Sequence, residues 1–320
     1  MKFSVIIPVF NRPDELRELL HSLSNQSFTD FEVVVIEDGS TIDSSDVITR
    51  FETRLQIQYL VQQNTGQGFA RNNGMKISNG EFFVILDSDV ILPKDYLQHL
   101  ASAIESRELD AFGGPDAADQ DFSGLQKAMD FAMTSFWTTG GIRGKMKDPA
   151  KYQARGFNMG VSRKVFETTA GFVDPNQGED IEWSIRIKKA GYKLELVKDA
   201  FVYHKRKNTL RSFAKQAFSF GRNRVNVSRF HPGAIKLVHW LPTAFLLFCL
   251  TILFLFFINK PLFQLSIGVF ITWSVCVVIS SAGQNKSAKV GVLSWFTSVL
   301  QLWSYGLGLP LELLRKYVKG

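Results

Sequence analysis

The chain has 320 residues, a formal net charge of +7 and only two cysteines, so the sequence does not predict a disulfide framework. Its length indicates two units. Pro8 interrupts the first apolar run and Asn11-Arg12-Pro13 ends it, so a secretory signal is not expected. We therefore expect the N-terminal part to remain on the side of the membrane where it is synthesised.

The first 90 residues alternate between apolar runs typical of buried strands and amphipathic runs typical of helices. Asn11 is a candidate cap for the first helix, Pro13 suits its first turn, and Asp14 and Glu15 favour its positive end. This alternation predicts an α/β domain with a mostly parallel sheet. The predicted elements are strand Phe3–Val9, a helix to about Asn25, strand Phe31–Glu37, a helix near Ser44–Arg54, strand Gln56–Val61, a helix from about Gly68 to Ser78 and strand Glu81–Leu86.

Carboxylates follow two of these predicted strands, at the sheet edge where ligands bind in open α/β sheets. Asp38 ends the second strand, and Asp87 and Asp89 follow the strand at Glu81–Leu86. Two like charges about 4 Å apart repel by roughly 4 kcal/mol at an effective dielectric near 20. A divalent cation such as Mg²⁺ or Mn²⁺ would remove that repulsion and could bridge to substrate phosphates. The alternative is a solvated Asp-Ser-Asp turn.

Gly66-x-Gly68 could also indicate a dinucleotide-binding loop. However, Arg71 occupies the third glycine position and the motif follows the third strand, whereas the fingerprint follows the first. We therefore interpret these glycines as admitting a ribose or phosphate, with Arg71 nearby as an anion partner or a structural clamp.

Residues 110–200 continue the α/β pattern less regularly. Glu179 and Asp180 open the amphipathic helix Ile181–Ala190, which ends at Gly191. They could cap the helix or supply a general base. The other predictions are a strand at Asp110–Gly114, an apolar helix at Phe122–Thr139, a loop at Gly140–Arg155, a short helix after Gly160 and a strand at Ala200–Tyr203.

The C-terminal part is strongly apolar and follows a basic segment. Residues 201–236 contain nine Lys or Arg and no acidic residue, which indicates a collar on anionic headgroups on the cytoplasmic side. Nucleic-acid binding is a weaker explanation, because no such motif is present. The stretches Leu237–Ile258, Pro261–Ala282 and Val290–Leu311 each have 22 residues without a charge. Each could cross a membrane as a helix of about 33 Å, although a buried helical core is the alternative.

Seven short motifs, in order and at matching spacing over about residues 3–200, resemble the family-2 inverting glycosyltransferases with the GT-A nucleotide-sugar fold. They are Ser4–Asn11, Val35–Ser40, Gly68–Gly74, Leu86–Asp89, Asn158–Gly160, Gly171–Asp174 and Gly178–Asp180. The resemblance implies that Asp180 is the catalytic base. Asp87 and Asp89 would hold the sugar nucleotide and its metal, and His204 matches a metal ligand of some relatives.

The resemblance also implies a nucleotide pocket and an acceptor side. The donor-side residues would be Pro8, Phe10, Arg12, Glu37, Asp38, Arg71 and Ser88, with Asp38 on the base. Asn158 and Glu179 would lie on the acceptor side. Glu37 departs from the Asp of many members, which retains a carboxylate but changes its reach. His204 could instead be an ordinary basic surface residue.

The implied reaction transfers one sugar with inversion from a nucleotide-diphospho-sugar, such as a UDP-sugar. The processive motif Gln-x-x-Arg-Trp is absent at Gln216–Arg222, which favours single transfer. The apolar stretches suggest a lipid-linked or cell-envelope glycan acceptor. Two rival functions are a non-catalytic scaffold and a sugar-phosphate nucleotidyltransferase, although the first strand lacks the glycine-rich turn of the latter. With three spans, Arg315, Lys316 and Lys319 would lie outside, against the positive-inside tendency, unless the third stretch is re-entrant or interfacial.

Overall fold

A computed structural model describes residues 2–117, 122–140, 148–204 and 209–319. The chain divides into two compact units, Met1–Asp119 with Met146–Lys205 and Gln120–Lys145 with Arg206–Gly320. Residues 120–145 group with the C-terminal helices, whereas the sequence pattern placed them within an α/β region that extends to about residue 200. The predicted loop at 140–155 lies partly outside the described residues, as do Lys205, Arg206 and Lys207 of the basic segment.

The described residues of the first unit form ten strands in two sheets. The strands are β1 Phe3–Val9, β2 Phe31–Asp38, β3 Ile57–Gln62, β4 Phe82–Leu86, β5 Val90–Ile91, β6 Ala111–Gly113, β7 Asp116–Ala117, β8 Asn158–Ser162, β9 Leu194–Leu196 and β10 Val202–His204. The large sheet has the order β3-β2-β1-β4-β8-β6-β9, and the small sheet has the order β5-β10-β7. Strands β1 to β4 are parallel, as predicted, whereas β8 runs antiparallel to both β4 and β6.

The twelve described α-helices divide between the two units. They are α1 Pro13–Leu23, α2 Ser45–Phe51, α3 Gln67–Ile77, α4 Tyr96–Arg107, α5 Gly124–Thr134, α6 Phe136–Thr139, α7 Arg163–Thr169, α8 Glu179–Lys189, α9 Leu210–Phe230, α10 Leu241–Ile258, α11 Lys260–Asn285 and α12 Ala288–Lys319. Short 3-10 helices lie at Pro149–Lys151 and Leu237–Trp240. The predicted helix at 122–139 is broken at Ser135, whose extended backbone ends α5 and whose side chain caps α6.

The sheet is covered on both faces, which explains the continuous apolar character of its central strands. Val5 and Ile7 of β1 pack with α1, α2 and α4 on one face, and Ile6 packs with α3, α7 and α8 on the other. Strand β8 was not predicted, because its run Asn-Met-Gly-Val-Ser carries little strand character. Gly160 is required in it, since a Cβ there would lie 2.4 Å from the Phe83 carbonyl oxygen.

In the second unit, α10 and α11 form an antiparallel pair. Phe245 contacts Trp273 near one end, and Phe256 contacts Phe263 near the connecting turn. Both helices are long and apolar enough to cross a membrane, and they are the two candidate spans among the described residues. Only 6% of the most apolar part of α11 is buried within the structure, so the described residues leave most of its apolar surface uncovered.

The third apolar stretch does not continue this pair. A Cβ at Gly291 of α12 would lie 2.8 Å from the Val278 carbonyl oxygen, near the end of α11. Gly306, about 22 Å farther along α12, meets Pro242 in the first turn of α10. Both contacts lie at the same end of the antiparallel pair. Helix α12 therefore crosses that end, and the expectation that Val290–Leu311 is a third span is not supported.

Pro310 lies inside α12 and removes one backbone hydrogen bond, which leaves the Gly306 carbonyl without its helical donor. The Thr243 hydroxyl of α10 donates to that carbonyl at 2.9 Å. The proline is thus tolerated because a neighbouring helix supplies the missing donor, and the same bond fixes where α12 crosses α10.

Candidate active site

The candidate site lies at the carboxyl ends of β1, β2 and β4, where the parallel register places their terminal residues side by side. Phe10 follows β1 and is 50% exposed, so an aromatic face remains available for a ligand. Pro8 lies within β1 opposite Ile36 and is partly exposed. The residues that follow these strands therefore lie at one edge of the sheet, as the sequence predicted. Their chemical roles stay predictions.

Asn11 does not cap α1 as expected. It has a left-handed backbone, with a φ of 55°, and its side-chain oxygen accepts hydrogen bonds from the backbone N–H groups of Thr41 and Ile42 at 2.8 and 3.0 Å. The helix begins after Arg12 without a side-chain cap. Asn11 instead ties the loop after β1 to the loop after β2. Asparagine is one of the few residues that adopt this backbone conformation readily.

Asp38 and Glu37 are both buried and hydrogen-bonded within the chain. The Asp38 carboxylate accepts from the N–H groups of Thr65 and Gly66 at 2.8 and 2.9 Å, which orders the loop before α3. Glu37 accepts from Ser40 and from the Tyr59 hydroxyl. Burial and the Glu37 charge raise the pKa of Tyr59 to about 12. The base contact implied for Asp38 stays a prediction.

Arg71 is the centre of the site and is 1% exposed. Its Nη2 donates to Asp87 Oδ1 at 2.6 Å, and its Nη1 donates to Glu179 Oε1 at 3.2 Å. Burial alone would lower the pKa of Arg71, but the two carboxylates outweigh that effect and raise it. Of the two expected roles, the structure thus shows the structural clamp: Arg71 joins the end of β4 to the start of α8.

The Arg71 guanidinium is held between an aromatic ring and a glycine. Its central carbon lies 5.3 Å from the centre of the Phe172 ring. A Cβ at Gly156 would lie 2.7 Å from Nη1, so only glycine fits there without moving the clamp. The close contact between Gly156 and Arg71 was not predicted from the sequence. The position of Gly156 in Arg155-Gly-Phe-Asn, just before the motif Asn158–Gly160, was the one feature of the sequence that pointed to it.

Glu179 was expected on the acceptor side, but the structure buries it within the clamp. It is 4% exposed and also accepts from Gln67 Nε2 at 2.6 Å. Burial and the neighbouring Asp180 charge raise the pKa of Glu179 to about 7, although Arg71 acts in the opposite direction. Its position supports a role in fixing the start of α8.

Asp180 lies in the first turn of α8 and remains partly exposed. Its Oδ2 accepts from the Gly156 N–H at 3.1 Å, and its Oδ1 accepts from the Ile181 N–H at 2.7 Å. Gly178, whose φ of 82° turns the chain, precedes the first helical residue, Glu179. Asp180 thus satisfies one free N–H group of the first turn, and its carboxylate is oriented by two backbone donors while it stays partly exposed.

Asp87, Asp89 and His204 form a cluster of candidate metal ligands. One ligand atom from each lies within 4.8 Å of the others. His204 reaches this position because β10 pairs with β5, which places His204 opposite Val90. Its Nε2 lies 3.2 Å from Asp89 Oδ1, and the Phe157 ring packs 4.8 Å from its imidazole. His204 is therefore not an ordinary surface residue.

The charges around Asp89 keep it ionised. Burial would raise its pKa, but His204 and Arg12 lower it well below its usual range. Arg12 Nη1 donates to Asp89 Oδ2 at 2.5 Å. His204 Nδ1 is buried without a hydrogen-bond partner in the described part of the chain, and the buried Asp89 Oδ1 faces His204 Nε2 at 3.2 Å. Two carboxylates and an imidazole with an unpartnered nitrogen fit a divalent cation. Ser88, between the carboxylates, is buried.

Asn158 does not face an acceptor. It is fully buried, accepts from the Tyr96 hydroxyl at 2.6 Å and donates to the Ala200 carbonyl at 2.8 Å. Burial raises the pKa of Tyr96. Asn158 thus holds β8 to the segment before β10, and through it the backbone that carries His204. The acceptor role expected for Asn158 is not supported by this position.

The comparisons with known proteins agree with this arrangement. The family model described as Glycosyl transferase family 2 matches residues 4–169. The poly(ribitol-phosphate) beta-N-acetylglucosaminyltransferase TarS of Staphylococcus aureus is 37% identical over 114 residues, which cover 34% of this chain and 20% of TarS. Glycosyltransferase AglE of Haloferax volcanii is 25% identical over 233 residues, covering 70% and 73% of the two chains. The match spans only about a fifth of the length of TarS.

Two solved structures show the same fold. The mannosyltransferase PcManGT of Pyrobaculum calidifontis, in complex with GDP-Man and Mn²⁺, has a TM-score of 0.64 and 15% identity, over 93% of this chain and 87% of that chain. Residues 1–349 of S. aureus TarS with UDP-GlcNAc give a TM-score of 0.52 and 18% identity, over 93% and 90% of the two chains. At these identities the likeness establishes the GT-A-like fold alone.

Proposed function

Because this chain belongs to glycosyl transferase family 2, we propose that it transfers one sugar, with inversion, from a nucleotide-diphospho-sugar to an acceptor hydroxyl. The observation that carries the proposal is the Arg71 clamp. It joins Asp87 of the candidate metal cluster to Glu179, the residue directly before Asp180. One buried side chain thereby links a carboxylate of the candidate metal cluster to the residue that precedes the candidate base.

Each group has a chemical role in this reaction. Asp180 accepts the proton of the acceptor hydroxyl, and that oxygen attacks the anomeric carbon from the face opposite the leaving nucleoside diphosphate. A positioned base of this kind contributes about 10²–10⁴-fold to the rate. Asp87, Asp89 and His204 would hold Mg²⁺ or Mn²⁺, which when bound offsets charge on the departing diphosphate. No covalent sugar–enzyme intermediate is needed.

The donor is proposed from the pocket and the relatives together. Phe10 offers an exposed ring for stacking, and Arg12 adds a positive charge beside Asp89. TarS is named as an N-acetylglucosaminyltransferase, and its structure was determined with UDP-GlcNAc. We therefore place a UDP-sugar first among candidate donors. The PcManGT complex contains GDP-Man and Mn²⁺, so a GDP-sugar is the first alternative and Mn²⁺ the first metal to test.

We also propose that α10 and α11 anchor the protein in a membrane, with α12 along the interface. Exposed apolar side chains line one face of α12 at helical spacing, and they are Val292, Phe296, Trp303, Leu307, Leu311 and Leu314. The opposite face buries Ser294, Thr297, Ser298 and Glu312. A helix with apolar residues outside and polar residues inside suits the bilayer boundary.

An interfacial α12 also agrees with the distribution of positive charge. With two spans, the start of α10 and the end of α11 lie on the same side of the membrane. Arg315 and Lys316 then lie on the same side as the basic segment, as the positive-inside tendency requires. We propose that this side is cytoplasmic and that the acceptor is a lipid-linked or cell-envelope glycan precursor.

The test is nucleoside-diphosphate release by the full chain in native-lipid membranes, with UDP- and GDP-sugars and with Mn²⁺, Mg²⁺ or EDTA. We expect one donor to give metal-dependent release that increases with lipid extract. Release of inorganic diphosphate would instead indicate a nucleotidyltransferase. No turnover of any donor would favour the scaffold function.

A further inference from the structure

Outside the candidate active site, the helical unit contains a cluster of arginines around one buried carboxylate. Glu312 of α12 is 4% exposed, although it lies near the charged end of an amphipathic helix. Arg222 Nε donates to Glu312 Oε2 at 2.7 Å, Arg229 Nη2 donates to Oε1 at 3.4 Å, and Arg315 Nη1 lies 3.8 Å from Oε2. One buried carboxylate thus accepts hydrogen bonds from Arg222 and Arg229 and lies within ion-pair distance of Arg315.

The charges of this cluster do not balance. Three guanidinium groups face one carboxylate, which leaves two positive charges. Arg222 donates to Glu312 through its Nε, so the hydrogen bond to Glu312 does not use either of its terminal nitrogens. Arg222, Arg229 and Arg315 remain 34%, 47% and 54% exposed, so an anion can reach them from solvent.

A buried amide accompanies the arginines. Asn226 lies four residues after Arg222 and three before Arg229, on the same face of α9. It is 2% exposed, and its side-chain oxygen has no hydrogen-bond partner in the described ranges. Since the oxygen and nitrogen of an amide are interchangeable by a flip, this position can offer a donor or an acceptor.

The helices at this point are in backbone contact, which fixes the arginines relative to each other. A Cβ at Gly308 of α12 would lie 2.2 Å from the Phe218 carbonyl oxygen, and one at Gly221 of α9 would lie 2.4 Å from that of Tyr305. The guanidinium groups are therefore presented by a rigid pair of helices. Arginine forks on a rigid support match the geometry of phosphate oxygens.

We propose that Arg222, Arg229 and Arg315, oriented by Glu312, bind the phosphate group of a lipid at the membrane surface. A phosphate monoester carries about −1.5 to −2 charges near pH 7, which matches the surplus of the cluster. This inference rests on the proposed function in one respect, because a phosphate-bearing lipid would be the acceptor's carrier. The site itself belongs to the helical unit and can be tested without a sugar donor.

The experiment titrates the full chain, in phosphatidylcholine nanodiscs without donor or metal, with farnesyl phosphate and follows the ³¹P NMR signal. Loss of one charge-assisted arginine contact is expected to weaken binding about tenfold or more. We expect this loss for Arg229→Gln and Arg222→Gln. Lys215→Gln removes an exposed charge from the same helix and should stay within about twofold of wild type.

Two further variants separate phosphate binding from a structural role. Arg315→Gln leaves the Arg222–Glu312 contact intact and should still weaken binding, so it serves if Arg222→Gln fails to fold. Glu312→Gln keeps one oxygen that can accept from Arg222 and so preserves its orientation. Because the variant removes the negative charge, it increases the positive surplus and should bind farnesyl phosphate at least as tightly as wild type. Equal weakening in Arg229→Gln and Glu312→Gln would show that the cluster only joins two helices, and would overturn the proposal.

The source of the phosphate is decided by competing ligands. Inorganic phosphate and nanodiscs containing phosphatidylglycerol are titrated in parallel. Displacement by phosphatidylglycerol at equal lipid fraction would assign the site to bulk anionic headgroups, and a preference for farnesyl phosphate would assign it to a phosphate-monoester lipid. Absence of binding to all three would refute the site. Because no donor is present, that outcome would leave the transferase proposal standing.

Discussion

We predict that replacing Arg71 lowers the free energy of unfolding by an amount that depends on how many of its two carboxylate contacts are lost. Arg71 uses two nitrogens to reach two carboxylates on different elements, at 2.6 and 3.2 Å. Lysine keeps the charge but can reach only one of them, so Arg71→Lys loses one charge-assisted hydrogen bond, worth about 1.5–3 kcal/mol. Arg71→Met leaves both carboxylates unpaired, and breaking such a buried pair costs about 3–5 kcal/mol.

These free energies translate into melting temperatures. A domain of about 150–250 residues loses roughly 2–4 °C per kcal/mol. Arg71→Lys should therefore lower the Tm of the first unit by roughly 3–12 °C, and Arg71→Met by roughly 6–20 °C. Trp183 of α8 is fully buried beside Thr169 and reports on this unit. Unfolding can be followed by its fluorescence in a protein whose other tryptophans are replaced by phenylalanine.

The control and the refuting result are specific. Arg17→Lys alters an exposed ion pair with Asp14 and should change the free energy of unfolding by less than about 0.5 kcal/mol. Adding Glu179→Gln to Arg71→Met should recover part of the loss, because the unpaired carboxylate is removed with its partner. Additive effects within about 0.5 kcal/mol, or an Arg71→Lys variant as stable as wild type, would refute the clamp.

Three further predictions concern pH, metal and membrane. The raised pKa of Glu179, about 7, means that its ionised form is unfavourable in the folded state. The free energy of unfolding should therefore fall as the pH rises from about 4.5 towards 7. The Tm of Glu179→Gln relative to wild type should accordingly increase between pH 5 and 8, and an unchanged difference would contradict this. His204→Gln should raise the Mn²⁺ concentration for half-maximal activity about tenfold or more, whereas His21→Gln, on an exposed position, should not. The third prediction uses a protein in which Cys249 and Cys276 are replaced by alanine. Leu307→Cys should be shielded from an impermeant maleimide, and Lys316→Cys should be labelled from the same side of the membrane as the N-terminal unit. Labelling of Lys316→Cys from the opposite side would instead indicate that α12 is a third span.

The parallel core and the acidic edge of the site could be predicted because they depend on local patterns. Apolar runs identify β1, β2 and β4, and the residues that follow parallel strands must meet at one edge. Asp87 and Asp89 were found in this way. His204 was identified only through the family resemblance, since its position depends on the pairing of β10 with β5.

The rest depends on contacts between distant residues. Arg71 and Glu179 are 108 positions apart, and nothing in either segment indicates that the two side chains form a buried ion pair. Asn158 was assigned to the acceptor from its motif, whereas its neighbours Tyr96 and Ala200 make it a structural link. Likewise, hydropathy alone cannot distinguish a spanning helix from α12, because the difference lies in which face meets other helices.

The central claim is that Asp180 is the base of a metal-dependent sugar transfer. Nucleoside-diphosphate release should be compared for wild type, Asp180→Asn and Asp46→Asn, with the best donor and acceptor extract at saturating Mn²⁺. Asparagine keeps the size of the side chain, but its one carbonyl oxygen can accept from only one of the Gly156 and Ile181 N–H groups, and it cannot accept the proton. We expect Asp180→Asn to lose about 10²–10⁴-fold in rate with unchanged donor affinity, and Asp46→Asn, on an exposed turn of α2, to match wild type. Equal rates in Asp180→Asn and wild type would contradict the account.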